Sequence, residues 1–306
     1  MKVLIATDKP FAKIAVDGIR KVVETAGHEL KLLENYKTVE EFKDAVADVE
    51  GMIVRSDLVT AEILDAAKKL KIVVRAGAGY DNLDLAACTA HNVVAMNTPG
   101  QNANAVAELV FGMLLYNKRG GFKGGSGTEL RGKSIGLHAF GYIGKYVAEI
   151  AKGFGIGVYA YDPFISECEI RERGISAVRS VEELYSLCNI VSLHLPLTSE
   201  TRKSIGYDLL SKMPAPATLV NTARKEVIDE EALIKIFNER SDITYISDIE
   251  PDCKAVFEEK FADRFLFSKK KMGAQTEEAN INAGVAAARQ IVDYFATGNE
   301  TFRVNK

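Results

Sequence analysis

The stretch from Gly132 to Phe164, GKSIGLHAFGYIGKYVAEIAKGFGIGVYAYDPF, holds groups whose types and spacing suit a dinucleotide. Gly141 and Gly144 follow a short apolar run, Ile135 to Ala139, and Asp162 closes a second run, Val158 to Tyr161. Gly141 lets backbone approach a pyrophosphate, and Gly144 lets a helix pack closely on the strand before it. The free N–H groups at the helix start meet the negative charge. A carboxylate about 20 residues past the turn accepts hydrogen bonds from ribose hydroxyls and repels a 2′-phosphate, so the expected cofactor is NAD and not NADP. Ala139 stands where the GxGxxG fingerprint has its first glycine, and AxGxxG alone also fits a plain strand–helix turn. The acid at Asp162 favours the nucleotide. His138 lies in the strand itself and reads as a packed core imidazole.

A second group of residues suits a small anion. Three loops carry Arg55-Ser56-Asp57, Arg75-Ala76-Gly77-Ala78-Gly79 and Asn97-Thr98-Pro99-Gly100. Guanidinium groups offer forked donors that match carboxylate and phosphate, and the glycines let backbone come close. The plainer alternative is that these arginines pair with Asp57 and Asp81 at the surface.

The elements around these residues alternate. Strands are expected at Val3–Ala6, Glu29–Leu33, Met52–Val54, Ile72–Arg75 and Val93–Met96. Helices are expected at Phe11–Ala26, Val39–Val46, Ala61–Lys69 and Leu83–Ala90. Such alternation implies a parallel sheet with helices on both faces, and ligands on these sheets sit beyond the carboxyl ends of the strands. Ala103–Arg119 reads as a long apolar helix crossing between domains, with Val106, Val110, Met113 and Leu114 on one face. The helix after the glycine turn is expected from Tyr146 to Phe154. Further strands at Ile190–Leu193, Leu219–Asn221 and Ile243–Ser247 each lead into a loop on the cofactor side. Asp229 is an expected N-cap, and Thr276–Thr297 the last helix, closed by Gly298. The expected fold class is α/β, with two doubly wound parallel-sheet (Rossmann-like) domains. The substrate domain is discontinuous, 1–99 and 277–306, around a nucleotide domain at 100–276.

Composition bounds the rest. A chain of 306 residues suits two domains of about 150. A net charge of −3 offers no footprint for nucleic acid or a membrane surface. Cys88, Cys168, Cys188 and Cys253 are scattered, form no metal or disulfide pattern, and read as reduced thiols of a cytoplasmic protein. MKVLIATDKPF is a first strand and not a signal peptide, and no apolar run approaches the ~18 residues of a membrane span.

Taken together, the loops resemble the D-isomer-specific 2-hydroxyacid dehydrogenases over nearly the whole chain. The strings that carry the resemblance are GMIVRSD, VVRAGAGYDNLDL, VVAMNTPGQNANAVAEL, GKSIGLHAFGYIGK, YDPF, VSLHLPLTSETR, LVNTARKEVIDEEAL and KMGAQTEEANINAG. The resemblance implies that Tyr142 and Ile143 meet the pyrophosphate, that Leu195 lines the cofactor cleft, and that Thr222 and Ala223 lie along the nicotinamide. It places Asp248 on the carboxamide, and Ala78, Gly273 and Ala274 also beside the cofactor. Arg224 would hold the substrate carboxylate and polarise the reacting oxygen. Arg55, Arg75 and Asn97, with Ser56 and Gly77, would hold 3-phosphoglycerate or 3-phosphohydroxypyruvate. The implied reaction is NAD-dependent oxidation of 3-phospho-D-glycerate, an entry to serine synthesis, with a homodimer joined through the Ala103–Arg119 helix.

Two departures from the family pattern concern the chemistry. The family's acid–base histidine stands in a TPHxG string; here the register places Lys271, and His28, His91, His138 and His194 all lie upstream. A subset of the family has lysine there, so activity is expected. An amine with a free pKa of about 10.4 is a proton donor at neutral pH, suited to the reductive direction. To act as base it must be depressed, and Arg224 and an oxidised nicotinamide both push that way. The flanking Lys269 and Lys270 read as a solvated run. The family's orienting glutamate corresponds to Glu250 in Asp-Ile-Glu-Pro, in a loop shortened by about three residues against the family string. Lys225, in place of a glycine, is expected to add positive charge near the site. The chain ends soon after the last helix, without the serine-binding domain of longer members, so serine is not expected to inhibit it. The alternatives are another D-2-hydroxyacid dehydrogenase, such as a glyoxylate or hydroxypyruvate reductase, and an NAD(H)-sensing corepressor-like binding protein.

Overall fold

The computed structural model describes residues 1–305 and divides into two compact units. One unit comprises Met1–Asn102 together with the segment from Gln275 onward; the other is Ala103–Ala274.

In the first unit, β1 (Lys2–Thr7), α1 (Lys13–Thr25), β2 (Glu29–Glu34), α2 (Val39–Val46), β3 (Gly51–Val54), α3 (Ala61–Ala66), β4 (Ile72–Arg75), α4 (Leu85–Ala90) and β5 (Val94–Asn97) alternate as expected. The strands form one parallel sheet in the order β2-β1-β3-β4-β5. Strands β3 and β5 are buried throughout because helices cover both faces of the sheet. Thr38 and Asp84 cap α2 and α4 by accepting from first-turn N–H groups, which stops these helices where the polar residues stand. The strand order reverses between β1 and β3, so a crevice opens beyond their carboxyl ends. Arg55 follows β3 there.

In the second unit, α5 (Ala103–Lys118) leads to β6 (Ser134–His138), α6 (Tyr142–Gly153), β7 (Gly157–Tyr161), α7 (Glu167–Glu172), β8 (Ser176–Ala177) and α8 (Val181–Leu187). Next come β9 (Ile190–Leu193), α9 (Tyr207–Leu210), β10 (Ala217–Asn221), α10 (Glu230–Glu239), β11 (Ile243–Ser247), α11 (Lys254–Lys260) and β12 (Phe265–Phe267). All seven strands are parallel, in the order β12-β11-β10-β9-β6-β7-β8. The reversal falls between β6 and β9, at the glycine turn. Helix α5 packs on α6, with Phe111 stacked on Phe154 at 5.2 Å. Its apolar face is therefore consumed within the chain: Val106, Val110, Met113 and Leu114 are all buried. Burial within one chain is a use that such spacing allows as readily as a subunit contact.

The last helix, α12 (Glu277–Thr297), belongs to the first unit and packs on α1. Thr276 caps its start and Gly298, at φ 73°, ends it. The tail then runs antiparallel to β5 at Met96 and Arg303. Asn305 replaces a missing strand there: its Oδ1 accepts from Ala95 N at 2.8 Å and its Nδ2 donates to Val93 O at 2.9 Å. The edge of the sheet is covered by this means.

Candidate active site

The glycine turn differs from expectation in a physically informative way. Strand β6 ends at His138, and Ala139 adopts φ 78°, the left-handed conformation that the missing glycine would supply. A residue with a Cβ holds this conformation at a cost of about 1–2 kcal/mol. Helix α6 begins at Tyr142, earlier than Tyr146, with Gly141 as N-cap and no side chain capping its first turn. A Cβ on Gly144 would lie 2.7 Å from the Ala139 carbonyl, so only glycine lets the helix approach the turn this closely. Asp162 clamps the turn: Oδ2 accepts from Phe140 N and Oδ1 from Phe164 N, both at 2.8 Å. Each carboxylate oxygen keeps a second lone pair for a ribose hydroxyl. Uncapped helix donors, a close glycine and a terminal carboxylate fit a dinucleotide.

Beside this turn, His138 and His194 are held neutral. His138 sits edge-on to Tyr185 and Tyr161, with Nδ1 3.3 Å from the Tyr185 hydroxyl, and burial pushes its pKa down to about 4. His194 follows β9, both its ring nitrogens are buried, and burial followed by the proximity of His138 brings its pKa to about 3. An unfolded histidine takes up its proton near pH 6.5, so the stability that these neutral rings carry is present above that pH and declines as pH falls. Each should cost about 1.4 kcal/mol per pH unit below about 6.5, down to its folded value. Denaturant unfolding compared at about pH 7 and pH 5 is therefore expected to show a steep acid loss that His138→Gln makes shallower; equal slopes would contradict this.

Arg224, Asp248 and Lys271 follow β10, β11 and β12, three strands adjacent in the sheet. Asn221, fully buried at the end of β10, builds the first loop: its Oδ1 accepts from Ala223 N at 2.9 Å and its Nδ2 donates to Arg224 O at 2.9 Å. This Asx-type turn orients the Ala223 carbonyl outward from the strand end. Arg224 Nη1 donates to that carbonyl at 3.0 Å, and Lys271 Nζ donates to the same oxygen. Two cations thus converge on one neutral acceptor. Asp248 is completely buried, with Oδ2 accepting from Gly273 N at 2.9 Å and Oδ1 lying 3.8 Å from Lys271 Nζ. Thr222 and Ala223 are buried beside this loop, Leu195 is buried at the end of β9, and Ala274 is half-buried.

Glu250 does not take the orienting place. Its carboxylate pairs at 2.7 Å with Lys254, four residues on, the first residue of α11. A pair closed across the short turn into α11 costs less ordering than a reach to a distant loop. Lys225 is likewise turned away, toward Asp252 at 2.5 Å, so the charge expected near the site is neutralised locally. The loop bearing both acids is tied to α10 by Glu230, which accepts from Asp252 N at 2.9 Å and Cys253 N at 2.7 Å.

On the first unit, Arg55 and Arg75 stand on neighbouring strand ends. Arg55 donates to the carbonyls of Lys9 and Pro10 at 3.0 and 3.1 Å and to Asn280 Oδ1 at 2.7 Å, over the Phe11 ring. Asp57 is buried and accepts from Tyr36 Oη, Asp8 N and the Arg55 backbone, so it does not pair with the Arg55 guanidinium. Arg75 Nε donates to Arg55 O at 3.0 Å. Gly77, at φ 150°, lies against that side chain, where a Cβ would fall 1.5 Å from Nη1. Asn97 braces the same loop through Ala78 O at 2.6 Å, while Ser56 is exposed.

Sequence reasoning passed over Asn221 and Asn280. A lone asparagine closing the apolar run ATLVN was a usable signal for the first. Nothing local marked Asn280, whose partner lies 225 positions away. Among the described residues no cluster of three metal-ligating side chains occurs, and no helix is long and apolar enough to cross a membrane.

Residues 113–260 match the family described as D-isomer specific 2-hydroxyacid dehydrogenase, NAD binding domain. The chain is 34% identical over 275 residues to D-3-phosphoglycerate dehydrogenase of Methanocaldococcus jannaschii, covering 83% of this chain and 51% of that protein. It is 32% identical over 283 residues to hydroxypyruvate reductase of Thermotoga maritima, covering 86% of this chain and 90% of the relative. The chain spans about half the length of the curated phosphoglycerate dehydrogenases it matches. Among solved structures, cofactor (NAD+) bound 3-phosphoglycerate dehydrogenase of Entamoeba histolytica superposes with a TM-score of 0.90 at 51% identity, covering 100% of this chain and 99% of that one.

Proposed function

We propose, given that the chain belongs to the D-isomer specific 2-hydroxyacid dehydrogenase family, that it oxidises 3-phospho-D-glycerate to 3-phosphohydroxypyruvate with NAD. The observation that carries this reading is the convergence of Arg224 and Lys271 on the Ala223 carbonyl, one a forked anion holder and the other a proton carrier. NAD, when bound, supplies the hydride acceptor. The residues that would hold it are the first-turn N–H groups of α6 from Gly141 to Gly144, Asp162, Leu195, Thr222, Ala223, Asp248, Gly273 and Ala274, with Ala78. In the oxidative direction Lys271 takes the proton from the substrate hydroxyl, and in the reductive direction it returns it to the carbonyl oxygen. Arg224 holds the carboxylate and balances charge that grows on the reacting oxygen. Arg55 and Arg75 are the groups for the phosphate, with Ser56, Gly77 and Asn97 shaping their loops.

The four cysteines are free thiols, which suits a reducing cytoplasm, and a homodimer is the assembly proposed by analogy with the family. A second reading, hydroxypyruvate reductase, is favoured by the relative from Thermotoga maritima, which the chain covers almost entirely. Initial rates separate the two. Charge-assisted phosphate contacts predict a kcat/KM about 10²-fold higher for 3-phosphohydroxypyruvate than for hydroxypyruvate. Preference for the unphosphorylated acid would transfer the assignment to the second reading.

A further inference from the structure

We infer that Asp248 is the positioning residue for Lys271, in the role that the diverted Glu250 leaves open. The inference rests on the reading of Lys271 as the proton carrier. The Asp248 carboxylate is fully buried, and only one of its oxygens is hydrogen-bonded: Oδ2 accepts from Gly273 N, while Oδ1 is buried without a hydrogen bond. The Lys271 ammonium is the cation 3.8 Å from that second oxygen. A buried carboxylate with an unmatched oxygen favours a nearby cation strongly. The two contacts act on one short segment. The bond to Gly273 N fixes the backbone two residues past Lys271, and the charge draws the ammonium inward to the Ala223 carbonyl. Gly273 permits this, since a Cβ there would meet Asp248 Oδ2 at 2.9 Å and Val106 at 3.2 Å.

Charged groups of the unit near Lys271 include Asp248 from the end of β11 and Arg224 from the end of β10, with exposed Lys269 and Lys270 on its own segment. The acid opposes the three cations and holds the amine in its donor form. Asp248 would then serve two tasks, anchoring the proton carrier and, with NAD bound, lying among the residues that would hold the cofactor.

The test follows the titration of Lys271 itself, by the pH dependence of its acetylation measured by peptide mass spectrometry in the full chain. Asp248→Asn keeps an oxygen for Gly273 N–H but removes the charge. It is expected to lower the Lys271 titration midpoint by about one pH unit, making the amine about tenfold more reactive below the midpoint. Glu250→Gln is expected to leave the midpoint where it is. No shift in Asp248→Asn, or a shift in Glu250→Gln instead, overturns the assignment. Should Asp248→Asn fail to fold, Gly273→Ala decides, because it pushes the segment off the carboxylate: a lowered midpoint supports the pairing and an unchanged one overturns it. Labelling needs no turnover, so a wild-type chain inactive on 3-phosphoglycerate would remove the proposed function while leaving this pairing to stand or fall by its own measurement.

Discussion

Lys271→Ala is expected to lower kcat for oxidation of 3-phospho-D-glycerate by about 10²–10⁴-fold, with KM little changed. The effect falls on kcat because the ammonium is held by a backbone carbonyl and a buried carboxylate, contacts that serve its placement and do not bind the ground-state substrate. Removal of the ammonium also leaves the buried Asp248 carboxylate without its neighbouring cation, so the alanine variant is expected to unfold at somewhat lower denaturant, and rates are compared under conditions where it is folded. Lys271→His supplies an imidazole that titrates near pH 6.5, at the position where the family's histidine stands. It is expected to recover part of the rate and to move the optimum toward lower pH. An alanine variant with wild-type kcat and an unaltered pH profile would remove lysine from the chemistry.

Arg224→Lys is expected to lower kcat/KM by about 10²–10³-fold, the range typical for loss of one donor at a developing oxyanion. The substitution keeps the charge, so the loss measures geometry. Lysine cannot present a planar fork, and the Ala223 carbonyl that pins Nη1 would have no second nitrogen in fixed relation to it. The loop itself should persist in the variant, because Asn221 ties it through the Ala223 N–H and the Arg224 carbonyl, groups that the change leaves in place. Equal falls in kcat and kcat/KM would assign Arg224 to transition-state stabilisation; a rise in KM alone would assign it to substrate binding. A lysine variant with wild-type constants would overturn both roles.

Much of the scaffold was legible in the residue pattern. Most strands that the sequence marked were continuous apolar runs, which is what burial between two helical layers demands; the edge strand β2, with Glu29 and Lys31, is the mixed exception. Short or mixed elements were not legible: β8 is Ser-Ala, β12 is a half-buried Phe-Leu-Phe at a sheet edge, and α7, α8, α9 and α11 run only four to seven residues, too short to establish a period. The glycine turn was recognisable by its spacing, but the left-handed Ala139 was not, since an alanine carries no local signal for that conformation.

Lys271, Arg224, Asp248 and Ala223 could each be singled out because each stands in a recognisable string, whereas their contacts with one another could not. The sequence by itself determined the two parallel sheets and the loops that carry chemistry, because those depend on periodicity and turn residues within about 20 positions of one another. Tertiary structure alone decided which side chains meet. The order β12-β11-β10 sets three strand ends side by side, so that a carboxylate after β11 falls between an arginine and a lysine distant from it in the chain. The acid nearer in motif, Glu250, was lost to Lys254, four residues on. Charges settle on the partner that the fold brings within reach at least cost in ordering, and sheet order is a property of the whole chain.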